Sequence, residues 1–134
     1  MSFDCRIDKE LGGVVVRATN VVGLDDVRAG VDEIVALSGF KPGMHQLFDL
    51  TDGGLDLDQA ESRVLAQFFQ SAEVRAKLGS GYRLAVVASR PVDFGTARVY
   101  QVHEESDSIA IRVFYEMEEA RQWIREAGSY AAPE

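Results

Sequence analysis

The segment YRLAVVA, residues 82–88, decides the fold class of this 134-residue chain. It is short and rich in apolar residues, and turn residues bound it, with Gly79 and Gly81 before it and Pro91 after it. These features predict a central, buried strand that is apolar on both faces. Such a strand needs helices on both sides of its sheet, and amphipathic segments precede and follow it. The segment therefore predicts an α/β domain.

The first two predicted strands form an antiparallel hairpin. Residues 3–9 alternate in part between apolar and polar types, which indicates a half-exposed edge strand. Gly12 and Gly13 supply the turn, and residues 14–19 (VVVRAT) are strongly strand-like. The later strands follow connections short enough to make them parallel to one another. We expect a mixed sheet of about five strands.

Four helices are expected on the two faces of this sheet. Their apolar residues recur at spacings of three and four, which is the period of a helix face. Asp58 and Glu61 are spaced as a capping box at the start of the second helix, and residues 73–78 are its short extension. Pro91 sets the entry to the third helix. We expect one domain over residues 1–128 and a frayed C-terminal tail over residues 129–134.

Length, charge and cysteine content limit the classes of function. A single domain of this size can remove about two thirds of its unfolded surface from water. The single cysteine, Cys5, rules out an internal disulfide, and no cysteine and histidine cluster suits zinc. The formal net charge is −8 and the three lysines are scattered, so nucleic acid is not an expected partner. With neither a signal peptide nor a membrane span evident, we expect a cytoplasmic protein. No sequence motif indicates a cofactor, so none is expected.

Two runs of sequence resemble a known family. Residues 94–100 (FGTARVY) open a helix, and residues 113–124 (VFYEMEEARQWI) place an acidic cap between a strand ending in Phe and a helix with Ala and Trp. This pattern resembles the SpoIIAA-like proteins of the STAS and CRAL-TRIO fold group, through nearly the whole chain in element order. The resemblance implies a SpoIIAA-like fold, usually bacterial and usually without known enzyme activity. Relatives include anti-sigma-factor antagonists and STAS regulatory domains, which bind protein partners.

The same resemblance points to a phosphorylation site. Antagonist members of the family carry a phosphorylatable Ser in an Asp-Ser-Ser-Gly-Leu run at the start of the second helix. The nearest stretch here is TDGGL, residues 51–55, which keeps the Gly-Leu pair but has no Ser pair. Thr51 is then the candidate for phosphorylation. The alternative is a loop hydroxyl that satisfies nearby backbone groups.

The carboxyl ends of the parallel strands are the expected place for a ligand, because loops and helix N-termini converge there in open α/β sheets. Arg90 follows the buried strand, and Gly95 and Thr96 lie where the third helix offers N–H and hydroxyl donors to an anion. Together with Asp49, these are the predicted ligand-binding residues. The alternative is that Arg90 pairs with Asp93 or Asp49 on the surface.

No pattern of residues indicates catalysis or a metal site. His45 and His103 are far apart, and neither stands in a triad order with a Gly-x-Ser-x-Gly elbow. The acidic residues between 49 and 61 do not fit the spacing of an EF-hand calcium loop.

Two functions follow. The first is a non-catalytic STAS-like regulatory or protein-interaction module. It binds a protein partner, or a second copy to form a homodimer, through the exposed parts of the third helix and the adjoining strand edge. Val99 and Val102 lie on that helix. The alternative is a small-molecule or lipid-binding protein with an anion site at the N-terminus of the third helix, since CRAL-TRIO relatives hold lipids in an apolar pocket.

Overall fold

A five-stranded mixed sheet carries the helices in the computed structural model, which describes residues 3–104 and 109–127. Two further short strands pair with each other beside it. The strands are β1 (Phe3–Asp8), β2 (Gly13–Ala18), β3 (Val21–Val22), β4 (His45–Asp49), β5 (Gly54–Leu55), β6 (Tyr82–Val87) and β7 (Ile109–Phe114). The helices are α1 (Leu24–Val35), α2 (Gln59–Gln70), α3 (Ala72–Leu78), α4 (Pro91–Glu104) and α5 (Met117–Glu126).

The pairing of the strands confirms the predicted mixed sheet. The order is β1-β2-β4-β6-β7, with β1 antiparallel to β2 and all other neighbours parallel. The strand built from the YRLAVVA segment, β6, pairs on both sides, with Val86 opposite Phe48 of β4 and Val113 of β7. It lies one strand from the edge, so β4 rather than β6 is the middle strand. The C-terminal tail predicted from residue 129 onward lies outside the described residues.

Alternate side chains of the strands enter two separate apolar clusters. Val14, Val16 and Val86 belong to the cluster that contains residues of α1, α2, α3 and α4. Val15 and Val87 point the other way, into the cluster that contains residues of α5. Because successive side chains of a strand point to opposite faces, both faces of the sheet are buried, as the apolar strand sequences predicted. Within residues 3–104 and 109–127, four helices cover one face and α5 covers the other.

The described residues form five helices where four were expected, because Ser71 divides the second one. Its backbone is extended, with φ −64° and ψ 149°, so it caps the end of α2 and the start of α3. The Ser71 hydroxyl donates to the carbonyl of Phe68 at 2.7 Å and accepts from the N–H of Val74 at 3.4 Å. Serine competes with the helix for backbone hydrogen bonds in this way, which the apolar spacing does not reveal. The capping box of Asp58 and Glu61 is confirmed.

Candidate functional site

A cavity of about 50 Å³ lies between the sheet and the helices of the four-helix face. Its walls come from β2, β4 and β6 below and from α1, α2 and α4 above, and the connection from β5 to α2 closes one side. Apart from Gln46 and Tyr100, the side chains that line it are aliphatic or phenylalanine. The cavity is therefore suited to an apolar occupant, since apolar walls offer no replacement for lost hydration of a polar one.

The helix spacing of α1 places its apolar stripe over this cavity. Val27, Val31 and Ile34 recur at spacings of four and three, are buried, and line the cavity wall. Gly30 lies on the same stripe, and a Cβ there would stand only 3.2 Å from the ring of Phe3. The missing side chain lets Phe3 pack close to α1, where its ring also forms part of the lining.

The size of the cavity limits what it can hold without movement of a helix. A volume of about 50 Å³ exceeds the roughly 10–15 Å³ that one water molecule needs. It is well below the roughly 300 Å³ of pockets for drug-sized ligands. The described conformation therefore fits a molecule of a few non-hydrogen atoms, and a longer chain would have to displace part of the wall.

Gln46 is the polar group of β4 that faces this cavity. Its cross-strand neighbours are Val14 of β2 and Leu84 of β6, which present only apolar side chains. The residue is 6% exposed, and among the described residues its Nε2 atom has no hydrogen-bond partner. Because a buried donor without a partner is costly, this amide is the unusual group of the site.

Sequence reasoning missed Gln46, although the sequence carries a signal for it. In the run from His45 to Asp49, residues 46 and 48 share one face of a strand, and Gln46 stands there beside the apolar Phe48. A polar side chain on the buried face of an inner strand needs an explanation. The depth of the strand, which the sequence pattern leaves open, decides whether that residue meets solvent or a cavity.

Arg90, the first predicted ligand-binding residue, is exposed and forms an ion pair with the buried Asp93. Its Nε donates to Asp93 Oδ2 at 2.6 Å, and Asp93 Oδ1 accepts from the N–H of Leu55 at 3.1 Å. The Asp93 carboxylate is buried, and its hydrogen bond and charge raise the pKa of Arg90. The pairing with Asp93 that the sequence left open as an alternative is therefore present, and it ties the start of α4 to β5.

The other predicted residues divide between two places. Gly95 and Thr96 lie in the first turns of α4 beside an open surface groove, and the Thr96 hydroxyl donates to the carbonyl of Val92 at 2.9 Å. Asp49 lies at the end of β4, where its Oδ1 accepts from the backbone N–H of Thr51 at 2.9 Å and from the Thr51 hydroxyl at 2.7 Å. The Asp49 and Thr51 contacts form a local turn. Anion binding and phosphorylation at these residues stay predictions.

The acidic and thiol groups of the described residues bear on two possibilities, a bound metal ion and a nucleophile. Residues 3–104 and 109–127 contain no group of three or more His, Cys, Asp or Glu side chains placed to bind a metal ion. Burial, together with the charges of Glu33 and Asp4, raises the pKa of the Cys5 thiol to about 11. That thiol is protonated at neutral pH and is a poor nucleophile.

Comparisons with known proteins bear on the fold. No family model and no curated protein matches the chain. An uncharacterised DUF3478-family protein from Shewanella loihica PV-4, a solved structure with a SpoIIAA-like fold, superposes with a TM-score of 0.54. The chain has a SpoIIAA-like fold. The match covers 91% of both chains at 13% sequence identity, so it establishes the fold alone and confirms the fold that the sequence resemblance implied. In the described residues, no helix is long and apolar enough to cross a membrane.

Proposed function

We propose that the protein is a non-catalytic binding domain that takes a small, largely apolar molecule into the cavity between its sheet and α1, α2 and α4. The observation that carries this proposal is the lining itself, which is apolar except for Gln46 and Tyr100. Ligand sites in proteins have this composition, with apolar walls and a few polar groups that fix orientation.

The energy that the cavity costs also supports a binding role. Protein interiors are close-packed, with few voids larger than a water molecule. A void of about 50 Å³ costs on the order of 1 kcal/mol of stability, at about 24 cal/mol per Å³. A ligand that fills the void recovers this energy as well as the transfer energy of its own apolar surface.

Native mass spectrometry on freshly purified protein, with a denatured control of the same sample, tests the proposal. We expect a mass excess that disappears on denaturation. Ala97 is 1% exposed and lines the cavity, so Ala97→Leu should abolish the excess by filling the space. The matched control is Ala76→Leu on the exposed side of α3, which should leave the excess unchanged. An excess that both variants retain equally would contradict the proposal.

A second candidate function is protein interaction, as a regulatory module or a homodimer. It is favoured by a row of exposed apolar side chains along α4, where Val92 is 68%, Val99 40% and Val102 77% exposed. The positions lie seven and three residues apart, which places them on one side of the helix. Sedimentation velocity tests self-association, and a concentration-dependent dimer that Val102→Glu dissociates would support it. A protein that stays monomeric at high concentration would contradict the homodimer.

The anion site and the phosphorylation site are proposals with tests of their own. An anion at the N-terminus of α4 would have to share Arg90 with Asp93, and Arg90→Ala should then release the ligand without changing assembly. Phosphorylation of Thr51 would appear as a mass increase of one phosphate that survives denaturation. Thr51→Ala should remove it, and an increase that persists in this variant would place the phosphate elsewhere.

A further inference from the structure

We propose that the Gln46 amide donates a hydrogen bond to an oxygen atom of the ligand. The ligand is then a small neutral molecule with a carbonyl or hydroxyl oxygen at one end and apolar groups elsewhere. This inference rests on the proposed function, and it adds the chemical class of the ligand and the residue that selects it.

The position of Gln46 supplies the geometric part of the argument. The residue lies on β4, the middle strand of the sheet, and shares the cavity face with Phe48. Val14 and Leu84, directly opposite it on the two neighbouring strands, have no acceptor atoms in their side chains. The backbone groups of an inner strand are used in the sheet, so they do not compete for the amide. Among the described residues of the cavity wall, Gln46 and Tyr100 have polar side-chain atoms, and Gln46 is the one that carries an amide.

The energetic cost of leaving the Gln46 amide unpaired favours a ligand with an oxygen atom over a hydrocarbon of the same shape. A buried donor without a partner destabilises the fold, and Nε2 of Gln46 has no partner among the described residues. An acceptor oxygen in the cavity removes this penalty, whereas a hydrocarbon of the same shape leaves it in place. The site should therefore prefer the oxygen-bearing molecule.

The absence of charge in the lining sets the ligand's own charge. No Lys, Arg, His, Asp or Glu side chain contributes to the described walls of the cavity. A carboxylate or ammonium group placed there would lose its hydration without gaining a counter-charge, which opposes its binding. The amide of Gln46 is neutral and compensates a neutral oxygen but not a full charge. A neutral ligand follows.

The test uses two probes, xenon as an apolar atom and acetone as a small carbonyl compound. Binding is followed from the methyl NMR signals of Val31 and Leu65, which line the cavity. The variant is Gln46→Met, which keeps the length of the side chain but removes the N–H donor. We expect xenon to bind both proteins alike and acetone to bind the variant about fivefold to tenfold more weakly. Gln67→Met, on the exposed side of α2, is the control.

Each outcome of the experiment separates the two proposals. If xenon moves no cavity methyl signal in the unmodified protein, the cavity takes no ligand and the proposed function fails. If xenon binds and acetone binds the Gln46→Met variant as tightly as the unmodified protein, the role of Gln46 is overturned while the proposed function stands. If the variant does not fold, the side-chain N–H signals of Gln46 in the unmodified protein test the role of this residue instead. They should shift with acetone and not with xenon, and no shift with acetone would overturn the inference.

Discussion

The two faces of the sheet differ in how they are packed. On the face covered by α5, Leu47, Ala85 and Ile124 are fully buried in one small cluster. On the face covered by α1 to α4, a larger cluster encloses the cavity. A single helix packs on its face through an unbroken apolar stripe, whereas four helices must also pack against one another. The crowded face is therefore the one where a void remains.

The two faces also differ in whether their polar side chains have hydrogen-bond partners. On the α5 side, Arg83 donates to the carbonyl of Trp123 at 2.7 Å and its guanidinium lies 4.9 Å from the centre of that ring. On the cavity side, Gln46 Nε2 and Ser62 Oγ have no hydrogen-bond partner among the described residues. On the α5 side Arg83 holds the fold, while on the cavity side Gln46 lies in the cavity wall, where we propose that a ligand uses its amide, and Ser62 lies outside that wall.

The largest expected contrast comes from removing the same side chain on each face. Leu47→Ala on the α5 face should lower the free energy of unfolding by about 3 kcal/mol, because Leu47 is fully buried. Leu84→Ala on the neighbouring strand should cost only about 1–2 kcal/mol, since Leu84 is partly exposed and already borders the cavity. Urea unfolding measures both. Equal losses would mean that the two faces are packed alike.

Enlarging a side chain on each face should also reveal the difference in packing between the two faces. Ala85→Val inserts two methyl groups into the α5 cluster and should cost about 1–3 kcal/mol through overpacking. Ala97→Val points the added groups at the cavity, and we expect a change within about 1 kcal/mol of zero. Thermal unfolding of the two variants checks the pair. A large loss in Ala97→Val would show that the space beside α4 is too tight for a ligand.

Acid should weaken the α5 side through Asp8, which accepts from the Leu11 N–H at 2.9 Å and from Arg121 at 3.0 Å. Burial of Asp8 acts to raise its pKa, but the Leu11 N–H and the guanidiniums of Arg121 and Arg6 outweigh it and lower the pKa. A lowered pKa stabilises the fold above the unfolded value of about 3.9, and this stability is lost as the pH falls through the folded value.

Asp8→Asn should therefore lower the free energy of unfolding by about 1–2 kcal/mol at pH 7. The difference from the unmodified protein should shrink as the pH falls below about 4, where the unfolded carboxyl begins to take up a proton, and should be lost below the lowered pKa of the native carboxyl. Urea titrations between neutral and acid pH measure it, and Glu10→Gln on the exposed turn is the control. A difference that stays constant with pH would mean that the charge of Asp8 does not matter.

The sequence predicts the elements of this fold well because their signals are local. Apolar spacing gives the stripe of α1, and the pair of Asp58 and Glu61 marks the start of α2 within one turn. The short strands β3 and β5 escape prediction because two residues carry no period. The break at Ser71 is not predicted because a serine can lie either inside a helix or at its cap, and the sequence around it does not distinguish the two.

The candidate site is harder to predict because it depends on gaps between elements. Apolar residues such as Val31 and Leu65 predict burial, but the same residues line a close-packed core and a cavity. The position of Arg90 just before α4 suggests an anion site. In the structure, however, Arg90 is paired with Asp93, which lies three residues further on and is buried beside β5. Whether a charge is free or paired depends on the distance between side chains, which the chain order leaves open.

The smallest expected effect tests the unpaired polar groups of the cavity side. Ser62 on α2 is fully buried, and its hydroxyl has no partner among the described residues. Ser62→Ala removes a buried polar atom and adds a better helix former, so we expect a gain of up to about 1 kcal/mol in the free energy of unfolding. Ser71→Ala is the contrasting control, because the Ser71 hydroxyl caps α3 and its loss should cost about 1 kcal/mol. Opposite signs for these two serines in urea unfolding would show that the cavity side retains polar groups that the fold does not use. A loss of stability in Ser62→Ala would mean that the hydroxyl has a structural partner, and the contrast between the faces would then rest on Gln46 alone.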